Sequence, residues 1–242
     1  MFLIYLQRSD YYLLHNIRPY KKVNKNKIKK ILIGLPSIDR DIKKANKMYK
    51  SLINSINNLN ESSYVIDLLV ITRKSDIKII NFWKNKASII TVPNYIIKER
   101  HNFKNLTKKF NELINQSKNY DTLIIIESDV YVKKNTLYNL IENLKKNHIT
   151  VAYGDVVWDG NPVIVIPTFF YPKLINPTKY NNFSNIIGTG TMCVAIRTEV
   201  FDDCNFEIGV FKDITGQDIG FFQQAFKKRY KVFMIDDIYH DY

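Results

Sequence analysis

Cysteine is nearly absent, with only Cys193 and Cys204 in 242 residues. That scarcity excludes a disulfide framework and most zinc sites, and it fits a reducing compartment. Long apolar runs are missing too. No stretch approaches the roughly 20 apolar residues of a membrane-spanning helix. Met1–Leu6 is apolar but too short for a signal-peptide core, and no basic segment precedes it. A cytoplasmic protein without a transmembrane segment is therefore expected. Alanine and arginine are scarce, at 5 and 7 residues. There is no internal repeat and no long low-complexity tract.

Basic charge is abundant. Lys and Arg total 36 against 23 Asp and Glu, a formal net charge of +13. Alone, that number suggests a nucleic acid or an anionic membrane as partner. The composition argues against it. The chain has 29 Lys, 26 Asn and 35 Ile. These three share A/T-rich codons, which Ala and Arg mostly do not. The basicity therefore reads mainly as the signature of an A/T-rich genome, such as a large DNA virus or an A/T-rich bacterium. One segment stands apart: Arg18–Lys30 carries seven basic residues. It reads as a solvated linker after an N-terminal arm, so that residues 1–29 precede a domain at 30–242. A surface for a membrane or an anionic ligand is the alternative.

From residue 30, strand and helix signals alternate. Ile31–Leu35, Val65–Thr72, Ser88–Val92 and Thr122–Ile126 are apolar runs with the length of buried strands. Between them, Ile42 to Ile56 and Phe103 to Ile114 show helical spacing. Leu137, Leu140, Ile141 and Leu144 mark another helix. Thr122–Ile126 is apolar on both faces, as a central strand covered by helices would be. After residue 150 the pieces shorten to Val151–Tyr153, Val163–Thr168 and Met192–Ile196. A helix at Asp218–Lys228 and a strand at Lys231–Ile235 close the pattern. The expected fold class is α/β, with a mixed, mainly parallel central sheet flanked by helices.

The chemistry concentrates in a few places. Strand Thr122–Ile126 delivers Glu127 and Asp129 at its carboxyl end, the edge where open α/β sheets bind ligands. On an extended strand, residues i and i+2 project to one side. Two such carboxylates can hold Mg²⁺ or Mn²⁺. The acidic-x-acidic triplet alone is weak, since one is expected roughly twice by chance and Asp39-Arg-Asp41 is a second. A polar strand end is the structural alternative. Gly188-Thr-Gly190 forms a turn through which backbone can approach a ligand. Gly216-Gln-Asp218 opens a helix, where a carboxylate is often only a cap. His148 reads as a helix C-cap, Cys193 as core, and Trp158 as either a lid anchor or a sugar-stacking platform.

The order of these features resembles the GT-A nucleotide-sugar glycosyltransferases, family 2-like, from about Lys30 to His240. Ile31–Ser37 is similar to the family's first strand, whose end touches the donor nucleotide, which implies donor contacts from Pro36, Ser37 and Arg40. Arg100 and Asn111 resemble the residues that seat the base and brace the site. Glu127-Ser128-Asp129 resembles the Asp-x-Asp metal motif, with Glu in place of the first Asp and Ser128 beside the donor. Gly188 and Gly190 are similar to the turn near the donor sugar. Gln217-Asp218 resembles the pair whose second Asp serves as catalytic base, with Gln replacing Glu. His240 matches a third metal ligand. Tyr153–Gly160 and the tail are similar, more weakly, to fungal mannan-synthesising GT-A enzymes.

The resemblance implies transfer of a sugar from a UDP- or GDP-sugar to a hydroxyl acceptor on a glycan, protein or lipid, with Mn²⁺ or Mg²⁺. Catalysis would rest on Asp218, and the metal on Glu127, Asp129 and His240. Three rivals stay open, one of them an inactive relative of the glycosyltransferases. A nucleotidyltransferase of related fold usually opens with a Gly-rich basic loop, and Pro36–Arg40 is not one. A non-catalytic basic protein that binds nucleic acid or other anions would need no acidic cluster.

Overall fold

The computed structural model describes residues 19–24, 27–37, 42–59, 63–93, 103–128, 130–154, 164–166, 173–175, 183–184, 192–211 and 214–240. The strands are β1 (Lys30–Pro36), β2 (Val65–Arg73), β3 (Ser88–Val92), β4 (Thr122–Ile126), β5 (Val130–Val132), β6 (Ile149–Gly154), β7 (Ile164–Ile166), β8 (Lys173–Ile175), β9 (Phe183–Ser184), β10 (Cys193–Arg197), β11 (Gly209–Phe211), β12 (Ile214–Gly216) and β13 (Val232–His240). The helices are α1 (Ile42–Asn57), α2 (Ile77–Trp83), α3 (Phe103–Gln116), α4 (Thr136–Leu144) and α5 (Gln217–Lys227).

One nine-stranded sheet runs β3-β2-β1-β4-β10-β6-β13-β5, with β9 also beside β13. β1, β2, β3, β4, β6 and β13 run one way, and β5, β9 and β10 run against them. The sheet is thus mixed and mainly parallel, and both halves of the sequence build it. Two separate hairpins, β7–β8 and β11–β12, lie off this sheet.

Strand alternation sorts the core into two layers. Ile31, Ile33, Leu35, Ile124, Ile126, Cys193 and Ala195 face one side, where α1, α2 and α4 supply Met48, Leu52, Trp83, Leu137 and Leu140. Leu32, Leu123, Ile125, Val194 and Ile196 face the other, where α3 and α5 supply Phe110, Leu113, Phe221 and Phe222. Every residue of β4 is buried. That is why its sequence is apolar without alternation. Backbone also packs closely on the α5 side. A Cβ on Gly220 would overlap the Glu207 carbonyl oxygen, so this helix lies directly against the 207–209 segment.

β13 runs five residues past the expected Ile235. A register shift between Asp236 and Ile238 marks a bulge. Bulges bend a strand and sharpen its twist. Beyond it, Ile238, Tyr239 and His240 run antiparallel to Val132, Tyr131 and Val130. Asp237, buried at the bulge, ties this bend to the start of α4. Its carbonyl accepts the Thr136 hydroxyl at 2.6 Å, and its carboxylate accepts Asn139 Nδ2 at 2.8 Å.

The described part of the basic segment lies on the domain. Lys21 N–H donates to the Arg229 carbonyl at 2.9 Å. Its ammonium meets the Asp203 carboxylate and the Tyr230 hydroxyl. Arg229 takes the left-handed conformation, φ 64°, and its guanidinium sits 4.1 Å from the centre of the Tyr20 ring. His148 is not a simple helix cap. It is buried, its Nδ1 accepts Lys231 N–H at 3.0 Å, and Nε2 is left to donate to the Lys22 carbonyl at 3.3 Å. Burial holds its imidazole below the usual value.

Asp237→Ala removes one carboxylate from a buried junction and leaves Asn139 Nδ2 without it. The expected loss is about 1–3 kcal/mol of unfolding free energy in urea titration. An unchanged midpoint would mean that the bulge holds without its side chain.

Candidate functional site

In open α/β sheets, ligands bind outside the carboxyl ends of the strands, where the strand order reverses. Here β1 leads to β2 and β3 on one side, and the chain then returns to place β4 on the other. The reversal falls between β1 and β4. Ser37 follows β1, and Glu127 follows β4.

The acidic motif is a turn, not an extension of β4. Glu127 N–H still joins the ladder, donating to the Met192 carbonyl at 2.9 Å, but the Glu127 carbonyl accepts Val130 N–H at 3.1 Å. An i to i+3 bond of this kind closes a β-turn. β4 therefore ends before Glu127 and Ser128, which lie in this turn, and Asp129 lies outside the described residues. The turn brings in something else. Val130, its last residue, opens β5 and lies opposite His240. Cα atoms across antiparallel strands are about 4.5–5.5 Å apart. His240 thus pairs with Val130, the residue that follows Asp129 in the sequence. Glu127 and Ser128 are both half-buried.

Asp218 reaches the same edge from the helix layer. α5 precedes β13, so it starts where the parallel strands end. The Asp218 carboxylate accepts Ile219 N–H at 2.9 Å. A Cβ on Gly216 would overlap Asp218 Oδ1. The glycine is needed there for space, because its φ of −174° is open to any residue. Burial pushes the Asp218 carboxyl up to about 6, against the pull of the Ile219 and Asp218 N–H groups. Neighbouring Gln217 is buried, and its Oε1 has no hydrogen-bond partner among the described residues.

The other expected donor contacts divide. Pro36 ends β1, and Ser37 is fully buried behind it, donating its N–H to the Ile71 carbonyl at 2.9 Å. Asn111 on α3 uses both ends of its amide on Phe206, at 2.9 Å each, bracing the 204–206 segment. Arg40, Arg100, Asp129, Gly188 and Gly190 lie outside the described residues, as does Trp158. Among the described residues, no three His, Cys, Asp or Glu side chains gather as a metal site. The Asp129 and His240 side chains are not among those described.

Two features near this edge were not legible in the sequence. Asp76, just before the seven-residue α2, holds Arg73 Nε and Nη2 at 2.6–3.0 Å and Thr72 Oγ1 at 2.9 Å. Burial raises its carboxyl, but these donors more than offset that and hold it below the usual range. Lys109, within the segment of helical spacing from Phe103 to Ile114, is 2% exposed and donates to the Ser37 carbonyl at 2.8 Å.

Comparison with known proteins places this geometry. No protein-family model matches the sequence, and no curated protein does. Solved structures do match. GalNAc-T7, crystallised with UDP, GalNAc and Mn²⁺, superposes at a TM-score of 0.60 with 13% identity over 90% of this chain and 45% of that one. Glucosyl-3-phosphoglycerate synthase from Mycobacterium tuberculosis, in complex with Mn²⁺, UDP and phosphoglyceric acid, gives 0.55 with 13% identity over 88% and 71%. The chain has a GT-A fold. It spans less than half of the GalNAc-T7 structure. Among the described residues no helix is long and apolar enough to cross a membrane.

The Asp218 environment is open to direct test. Its folded-state value lies above the ordinary carboxyl value of 3.8. For an acid raised on folding, the native state keeps its proton longer than the unfolded chain, so stability falls as pH rises from about 4 through about 6. Asp218→Asn should therefore raise Tm at pH 7.5 and leave it unchanged near pH 4. A Gly216→Ala change should push the carboxyl outward and bring its NMR titration midpoint down toward the ordinary value. A midpoint near 4 in the unaltered protein would contradict the burial.

Proposed function

We propose that this chain is a metal-dependent glycosyltransferase that moves a sugar from a UDP- or GDP-sugar to a hydroxyl acceptor. One observation carries the reading. The last strand runs past its bulge to set His240 beside the Glu127–Val130 turn, at the carboxyl edge where the strand order reverses. Carboxylates and an imidazole from these positions form a donor set suited to Mn²⁺ or Mg²⁺. The two GT-A structures above were solved with UDP and Mn²⁺, which supports the same choice of donor class and metal.

The chemistry follows from charge. A nucleoside diphosphate leaving group gains negative charge as the glycosidic bond breaks. A divalent cation held by Glu127, Asp129 and His240 supplies Lewis-acid charge to that diphosphate. Asp218 waits at the start of α5 with its carboxyl near 6. It is ionised at neutral pH yet basic enough to take a proton from the acceptor hydroxyl in an inverting transfer. Holding donor and acceptor together supplies much of the remaining rate. Ser37, Arg40, Arg100, Ser128, Gly188 and Gly190 are assigned to the donor, and Asn111 to the brace behind it.

Asp129→Ala should abolish Mn²⁺-dependent hydrolysis or transfer of the nucleotide sugar while the melting curve stays cooperative. Asp218→Asn should lower kcat by about 10²–10⁴-fold, the size of a general-base effect, with donor KM little changed. Turnover that survives Asp129→Ala would refute the metal assignment. A collapse of donor binding in Asp218→Asn would reassign that residue to structure or metal.

A further inference from the structure

Lys109 is a buried charge that the chemistry above leaves unused. Its ammonium carries three donors, and one of them goes to the Ser37 carbonyl. Among the described residues, no carboxylate lies within ion-pair distance of it. The acid that acts on it, Asp76, is already held by Arg73 and Thr72. Arg73 and Asp76 cancel, so the cluster keeps one net positive charge. Ser37 adds a second gap, because its hydroxyl is fully buried and has no partner among the described residues. Buried polar groups normally find partners, and a desolvated charge without one is costly.

Both groups lie at the end of β1, one strand from Glu127 and beside the point where the strand order reverses. A ligand occupying that crevice would meet the acidic turn on the β4 side and this ammonium–hydroxyl pair on the β1 side. The acidic turn attracts a cation. The β1 side carries a net positive charge from Lys109, which suits an anionic oxygen.

We propose that Lys109 and Ser37 form a second, metal-independent anchor for the nucleoside diphosphate of the donor, with Lys109 donating a charge-assisted hydrogen bond to one of its oxygens. The inference rests on the donor assignment above and adds a residue to it. It also predicts how binding titrates. Burial pulls the ammonium down to about 8, with Asp76 opposing and Arg73 reinforcing. It donates to the Ser37 carbonyl, and among the described residues the charged groups acting on it are Asp76 and Arg73, at the end of β2. Asp218, on the helix beside α3, titrates near 6 and is out of the way above neutrality. Raising the pH through 8 therefore removes the charge that holds the ligand.

The test is calorimetric binding of UDP and of GDP in EDTA, near pH 7 and near pH 9.5, on either side of the Lys109 ammonium's value, with Lys109→Met reporting the part of any change that comes from deprotonation of the nucleotide base. The unaltered protein should bind one of them without metal and weaken about tenfold or more at the higher pH. Lys109→Met should bind about tenfold more weakly near pH 7 and lose less affinity at the higher pH than the unaltered protein does. Its Tm should not fall, since methionine removes a desolvated charge from the interior. Ser37→Ala should give a smaller loss. Equal affinity in Lys109→Met and the unaltered protein overturns the inference and leaves the donor assignment intact, as does pH-independent binding by the unaltered protein. Failure of both nucleotides to bind even with Mn²⁺ overturns the donor assignment itself, and this anchor with it.

Discussion

The antiparallel pairing of β13 with β5 governs the candidate site. Without it, the turn after β4 would be one acidic loop among several at a sheet edge. With it, β13 closes over the first half of the sheet and pairs His240 with Val130, at the end of the turn that follows β4. The bulge at Asp237 makes the pairing possible. It lets one strand run parallel to β6 along most of its length and antiparallel to β5 at its end. The buried Asp237 contacts with Thr136 and Asn139 then fix the bend to α4.

Much of the framework could be read from residue patterns. Ser88–Val92 and Thr122–Ile126 are strands with the bounds expected, and α1, α3, α4 and α5 fall within two residues of theirs. These elements carry strong periodicity because each buries a face against a wide sheet. The misreadings share a cause as well. α2 has only seven residues, too few for a period to emerge, and its burial rests on Ile79 and Trp83. The end of β13 reads Asp-Asp-Ile-Tyr-His, which looks like a polar tail. It is a strand only because β5 offers it an edge. Likewise the Glu127–Val130 turn has no glycine or proline to announce it, so the acids seemed to continue β4.

Positive charge needs a finer view than a net count. Most of the excess lysine is exposed, and its number follows the codon skew of the sequence. Two lysines differ from this background by their neighbours. Lys21 pins the segment before β1 to Asp203 and Tyr230, whose hydroxyl is pushed up to about 12 by burial and by that carboxylate. Lys109 is buried on the α3 face, beside the carboxyl edge of the sheet. Neither could be singled out among 29 lysines, since helical spacing marks a position as polar or apolar but not a polar position as buried.

The β5–β13 pairing joins residues 110 positions apart, Val130 and His240. Contacts of that sequence separation form late, because the chain must first give up the entropy of a long loop. The parallel block of β1, β2, β3 and β4 draws on the first half of the chain alone. During synthesis that block, with α1, α2 and α3 against it, can therefore begin to assemble before β13 reaches β5. The β5–β13 pairing that brings His240 opposite Val130 therefore forms after the parallel block it closes over.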